Sequence, residues 1–210
     1  MCKWEKTYTV KIGGRRYPYV QIGNNLWLAE NLDYAWEGLD IGGTSTPSTP
    51  HAWYYNNDKN TYGIDGTYKC GLLYNGYAAQ YLDANKATLL PDGWHVPNYS
   101  ELIGFLSALP EFRQGWDAAA QAARAKNNSV TSNWPSNWNG DDTHGLNVLP
   151  AGYRNYSGSS PFGYFGMQAT LIGKIGTGTV NSIYIQNHFG TNGNMNSKGA
   201  GSIRLIKNLA

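Results

Sequence analysis

The stretch Leu89-Leu90-Pro91-Asp92-Gly93-Trp94-His95-Val96-Pro97-Asn98 decides how the rest of the chain is read. Pro91-Asp92-Gly93 carries turn chemistry, since proline presets one φ angle and glycine accepts a positive one. In the short extended piece that follows, Trp94 and Val96 share one face and His95 takes the other. Asn98 is a good helix N-cap, and Glu101 at the third helical position reaches back to the cap's free N–H. Leu102, Phe105, Leu106 and Leu109 then repeat at helical spacing until Pro110 ends the run. A tryptophan held between a turn and an amphipathic helix is a core anchor.

Upstream of this stretch, residues 7–12 alternate Tyr8, Val10 and Ile12 on one face with Thr7, Thr9 and Lys11 on the other. Gly13-Gly14 is a two-residue hairpin signal, and 15–22 returns as the partner strand. Gly23-Asn24 turns again into Leu26-Trp27-Leu28, so a β-meander opens the chain. Residues 38–50 are a loop by composition, read as an insertion. Tyr74, Tyr77, Ala78, Tyr81 and Leu82 make one stripe and predict a helix over 74–85. The alanine-rich 117–126 predicts a third helix beside the Asn98-capped one. From Gly145 onward the chain reads as strands and loops. Strands and helices do not alternate, so the class is α+β: mixed small sheets, two to three helices, and a long loop-rich region. A single domain over 1–210 accommodates this length.

Several stretches, taken in order, resemble one family. Gly93-Trp94-His95-Val96-Pro97 followed by a cap residue and Glu101 is similar to the Gly-Trp-His-Leu-Pro signature of the Fibrobacter succinogenes major paralogous domain. The run from Ile22 through Trp27 to Leu32 looks like the family's opening. Asn139-Gly140-Asp141-Asp142, Gly145-Leu146 and Leu149-Pro150-Ala151-Gly152-Tyr153-Arg154 look like its middle, and Ser202-Ile203-Arg204-Leu205-Ile206-Lys207 like its closing strand. The resemblance implies a C-type-lectin-like fold; from the order of elements, the last strand, 202–207, is expected to pair with the first hairpin and bring the termini together. Many relatives carry cysteines where this chain has Leu90 and Leu205, which implies an apolar contact between those two in the core.

Composition narrows the function. Charged residues are 14% of the 210, against a typical ~25%, while aromatics are also 14% and glycines number 26. Surface and loops are therefore built from Gly, Asn, Ser, Thr and Tyr, as in adaptable recognition surfaces. A net charge of +2 argues for neither nucleic acid nor an anionic membrane. No Asp or Glu follows Asp142, while Arg154, Lys174, Lys198, Arg204 and Lys207 do, leaving the last third mildly basic but too sparse for a phosphate-tracking groove. No apolar run reaches the ~18 residues of a membrane span. Cys2 and Cys70 are too few for a disulfide scaffold. Cys2 reads as a free thiol, with lipid attachment as the alternative.

No enzymatic signature stands out. None of His51, His95, His144 and His188 pairs with another ligand at metal-binding helical spacing. His95 reads as a structural hydrogen-bonding group. Asn139, Asp141 and Asp142 offer oxygens for calcium, but more simply cap the turn before Gly145. The formylglycine-generating enzymes of this fold class depend on a cysteine pair, and Cys70 has no such partner. The expectation is a non-catalytic domain without cofactor or metal, attached to a larger assembly on a cell surface or phage virion and binding a protein or other macromolecular ligand. The alternative is a structural subunit of such an assembly. Residues 164–198 depart from the family pattern while the frame on both sides holds, which resembles the variable proteins of diversity-generating retroelements. Period-2 alternation makes Ile183 and Ile185 inward and Tyr184, Gln186 and His188 outward. The expected ligand-binding face is Ile172, Lys174, Tyr184, Gln186, His188, Asn192, Asn194 and Asn196.

Overall fold

The computed structural model describes residues 8–126, 134–138, 140–158, 160–176, 178–186 and 190–209, with backbone alone at 190–192. The strands β1 (Tyr8–Ile12), β2 (Arg15–Ile22) and β3 (Asn25–Leu28) form the expected antiparallel meander. Next come β4 (Asp40–Ile41), β5 (His51–Trp53), the single-turn helix α1 (Lys59–Tyr62) and β6 (Leu73–Asn75). The helical part holds α2 (Gly76–Ala84), the single turn α3 (Lys86–Leu89), β7 (Trp94–His95), α4 (Tyr99–Ser107) and α5 (Trp116–Ala123). After it run β8 (Tyr153–Arg154), β9 (Phe162–Gly163), β10 (Ala169–Ile175) and β11 (Thr179–Ile185). The chain ends through β12 (Gly190–Asn196), β13 (Ala200–Gly201) and β14 (Ile206–Asn208). Strands and helices are segregated, so the fold is α+β.

Three sheets result, in the orders β1-β2-β3-β14-β7, β4-β5-β6-β13-β8-β9 and β10-β11-β12. The third lies between two apolar clusters. Ile172 and Val180 face the cluster that holds Trp94, Val96, Leu90 and Leu205. Ala169, Leu171, Ile183 and Ile185 face the one that holds Trp27, Phe105 and the alanines of α5. A strand covered on both sides needs near-continuous apolarity rather than alternation, which is how β10 reads.

The Trp94 stretch folds as its residues dictate. Trp94 and Val96 are buried, and His95 is half-buried on the other side. Asn98 Oδ1 accepts the Glu101 N–H at 3.0 Å while Glu101 Oε2 accepts the Asn98 N–H at 2.8 Å, a complete capping box. The second Glu101 oxygen lies 3.0 Å from His95 Nε2. Helix α4 buries Leu102, Phe105 and Leu106, with Phe105 edge-on to Trp27 at 4.9 Å.

This pair makes stability depend on pH. Burial alone would raise the Glu101 pKa, but the His95 hydrogen bond and the Asn98 N–H pull it down to about 2. The Glu101 hydrogen bond in turn raises the His95 pKa above its ordinary 6.5, against a smaller opposing effect of burial. A depressed carboxylate stabilises above its unfolded value of 4.5 and stops doing so as pH falls towards 2; a raised histidine stabilises below 6.5 and stops doing so as pH climbs through its folded value. The pair therefore contributes most between those two unfolded values. Glu101→Gln should lower stability by about 1 kcal/mol at pH 5.5 and flatten the acid limb of the melting profile. An unchanged acid limb in thermal melts would contradict this.

Three motif segments far apart in sequence meet at the buried Arg204. Its Nε donates to Asn31 Oδ1 at 2.9 Å, and its guanidinium also donates to the carbonyls of Asn147 (2.9 Å), Leu28 (3.3 Å) and Leu146. Asn31 passes the connection on, donating to Cys70 O at 2.9 Å and Ser202 Oγ at 3.2 Å. Arg154 plays a similar part. Buried over the Trp53 ring at 4.1 Å, it donates to the carbonyls of Thr44 and Ser45 at 2.9 Å, so the loop at 38–50 is pinned rather than free. Two of the five cations of the basic last third are thus structural and absent from the surface.

Three expectations need correction. Tyr74 belongs to β6, because Asn75 caps α2 through the Ala78 N–H, and the stripe residue Tyr81 is exposed. Helix α5 stops at Ala123, after which Arg124 and Lys126 bridge to Val148 and Gly140. The run of α4 stops before Pro110, as expected, and Pro110 starts a separate 3-10 turn. The closing strand is Ile206–Asn208, paired with β3 and β7 rather than with the hairpin itself, because 202–205 are spent on the Arg204 hub and its core neighbours. Leu90 and Leu205 are both buried in one cluster. Cys70 is buried and free, its thiol pKa raised to about 12 by burial. Cys2 lies outside the described residues.

Candidate functional site

An open cleft of about 540 Å³ lies where the loop-rich end of the β8–β9 hairpin meets the free edge of the third sheet. One wall is Tyr153, Asn155, Tyr156 and Tyr164; the floor and other wall are Gln168, Tyr184, Gln186, Asn194, Met195 and Asn196.

The first wall is set by Gly152, in the left-handed region at φ +69. A Cβ there would run into the Gly163 carbonyl oxygen and sit 2.9 Å from Phe165 N. Only glycine lets β8 and the chain after β9 approach so closely. Tyr153 then stacks on Tyr164, with ring centroids 5.7 Å apart. Tyr164 is about half exposed and has a φ of +59, uncommon for a bulky residue and characteristic of positions held for function. Burial raises the Tyr153 pKa, and the neighbouring Tyr164 and Tyr184 phenols raise it further, so it stays an O–H donor at neutral pH.

The floor is braced from below. Arg124, buried beneath it, donates from Nη1 to Gln186 O at 2.8 Å. The Gln186 amide nitrogen donates to Gln168 Oε1, and Gln168 Nε2 donates to Thr170 Oγ1 at 2.7 Å. The Gln168 carbonyl accepts the Gly152 N–H at 2.8 Å, tying floor to wall. Tyr184 lies across Gly193, where an added Cβ would come within 2.9 Å of the ring. A glycine diagonal to an aromatic on the neighbouring strand leaves that ring room to lie flat.

Of the eight residues expected on the ligand face, Tyr184, Gln186, Asn194 and Asn196 line the cleft. Ile172 does not: it is completely buried beside Val180. Lys174 does not either: it pairs with Asp83 of α2 at 3.0 Å, and its N–H donates to Pro97 O. The backbone of Asn192 is in β12, opposite Ile183, and His188 lies outside the described residues. Ile183 and Ile185 are buried as expected. The register, however, pairs Tyr184 with Thr191 and Asn194 with Asn181, so Tyr184 and Asn194 belong to opposite faces of the sheet. They reach one cleft because β12 is the edge. Asn196 has a second task, accepting the Lys198 N–H at 2.9 Å in the turn into β13. Tyr153, Asn155, Tyr156, Tyr164, Gln168 and Met195 were missed; the signal for the first three was their place at the end of the Leu-Pro-Ala-Gly-Tyr-Arg motif.

Elsewhere, the remaining candidates serve the fold. Asp142 Oδ1 accepts the Asn147 N–H at 2.6 Å across the turn at Gly145, while Asp141 accepts from Gln121 Nε2 of α5 at 3.0 Å; Asn139 lies outside the described residues. His144 pairs with Glu111 at 2.9 Å. Among the described residues no cluster of potential metal ligands occurs, and no helix is long and apolar enough to cross a membrane.

No curated protein and no solved structure matches the chain. One family model does, the Fibrobacter succinogenes major domain, over residues 20–207. That span takes in the Trp94 stretch, the Arg204 hub and both walls of the cleft. The chain belongs to the Fibrobacter succinogenes major domain family.

Proposed function

We propose that this chain is a non-catalytic ligand-binding domain with a C-type-lectin-like arrangement, carried on a larger assembly at a cell surface or phage virion. The cleft binds part of a protein or other macromolecular target, and the segment that departs from the family pattern diversifies it, as in diversity-generating retroelement variable proteins. One observation carries this reading. Tyr184, Gln186, Asn194 and Asn196, all from the departing segment, line one cleft with tyrosines of the family frame, above a floor braced by buried hydrogen bonds. Tyrosine with small amides is paratope chemistry, combining rigid contact area with adaptable hydrogen bonding.

A structural subunit is the second reading. It draws on a separate groove lined by Tyr8, Pro18, Tyr19, Val20, Leu26 and Leu209 on the first sheet, since a partner-covered face should be apolar. Sequencing this locus across independent isolates separates the two. Expected is a reverse-transcriptase gene with a near-copy of the 3′ coding segment, and differences at adenines concentrated in codons of cleft residues. Differences spread evenly over frame and cleft would contradict the binding reading.

A further inference from the structure

The lining of the cleft is unusual in what it lacks. Among the described residues that line it, four are tyrosines, five are Asn or Gln, and the last is Met195; none of these is a carboxylate, a lysine or an arginine. An anionic ligand would need a guanidinium or ammonium for charge-assisted hydrogen bonds, and a cationic one a carboxylate. The buried arginines nearby are already committed, Arg124 to Gln186 O and Arg154 to the carbonyls of Thr44 and Ser45. The ligand is therefore uncharged where it sits.

The amides narrow it further. Because the Gln186 nitrogen gives one hydrogen to Gln168, the side chain is held in one orientation. Its carbonyl oxygen and second N–H remain for the cleft, an acceptor beside a donor. Such a pair matches adjacent hydroxyls, each of which both donates and accepts. Asn194, exposed, repeats that chemistry at the rim, and Asn196, its oxygen taken by the Lys198 N–H, adds N–H donors. The stacked Tyr153 and Tyr164 and the Tyr184 ring, laid over Gly193, supply flat apolar faces with O–H groups at their tips. A volume of about 540 Å³ falls in the ~300–1,000 Å³ range of small-ligand sites. Protein hot spots favour Trp, Tyr and Arg, and of these only Tyr is among the described lining residues.

We propose that the cleft holds the uncharged end of a carbohydrate, its C–H faces stacked on the tyrosines and its neighbouring hydroxyls bound by the Gln and Asn amides. This rests on the cleft being a binding site, and the experiment keeps the two apart. The labelled full chain is applied, in buffer with EDTA, to an array of neutral, sialylated and sulfated oligosaccharides. It is applied in parallel to desialylated fetuin before and after removal of the glycans. Saturable binding to neutral glycans is expected. Tyr184→Ala should weaken it roughly tenfold, the worth of one aromatic contact. Asn194→Ala, at an exposed position that the fold does not need, should weaken it as well. A blank array, or binding confined to sialylated or sulfated glycans, overturns the proposal. Binding to glycan-free fetuin that is lost in both variants overturns the carbohydrate but keeps the cleft as the site. Binding indifferent to both variants overturns both.

Discussion

Replacing Arg204 with methionine should destabilise the protein by about 3–5 kcal/mol, the range for stranding the partners of a buried charged group. Methionine fills much of the volume but donates nothing, so Asn31 Oδ1 and the carbonyls of Leu146 and Asn147 lose their donor where water does not reach. Lysine should rescue little. A point charge on a flexible stem does not span acceptors from two distant chain segments as a planar fork does. Burial lowers the Arg204 pKa to about 10, so the charge is costly to bury even with those acceptors in place. The matched control is Lys207→Met, which removes one exposed bond to Asp92 O at 2.9 Å and should cost about 0.5 kcal/mol or less. Urea unfolding read by tryptophan fluorescence checks both. An Arg204→Met variant within about 1 kcal/mol of the parent, the worth of one ordinary hydrogen bond, would mean that the hub does not hold the motif segments together.

That hub explains how much of the fold could be read from sequence. The Trp94 stretch was legible because turn, strand, cap and amphipathic helix are all local, each set by residues within four positions of one another. The joining of Asn31, Asn147 and Arg204 was legible only as three motifs in order. Which of their side chains meet is a tertiary matter, and arginine on a strand is ordinarily a surface residue. Arg154 and Arg204 were therefore counted as surface cations, yet they are among the largest fully buried side chains.

The site was half legible for a related reason. Period-2 alternation separates the two faces of a strand but does not say that one is wet. The third sheet is packed on both faces, so Ile172 was assigned to solvent when it lies in a core. Tyr184 shares its face with the buried Ser182 and Val180, and becomes accessible only where that core ends. Lys174 looked free because its partner, Asp83, is on a helix 91 positions earlier. Tyr153 and Tyr156 looked like frame because they stand at the end of a family motif, whereas Tyr164 opens the departing segment. The cleft is built from both.

A cleft that is carried by the frame without supporting it should be replaceable, and this is the second large effect expected. Tyr156 and Tyr164 are about half exposed and Asn194 is exposed. Each replacement should cost about 0.5 kcal/mol, with up to ~1.5 kcal/mol for the Tyr153–Tyr164 stack. Asparagine at 164 also suits the left-handed backbone better than tyrosine. Three lost contacts of about 1 kcal/mol or more each would, by contrast, weaken a bound ligand by roughly a hundredfold. The most direct measurement is therefore urea unfolding of the triple variant Tyr156→Ser, Tyr164→Asn, Asn194→Ser beside the parent. The account predicts the same cooperative slope and a loss of no more than about 2 kcal/mol; a broadened transition, or a loss as large as that of Arg204→Met, would show that these side chains hold the fold together and that the cleft is no separate binding surface.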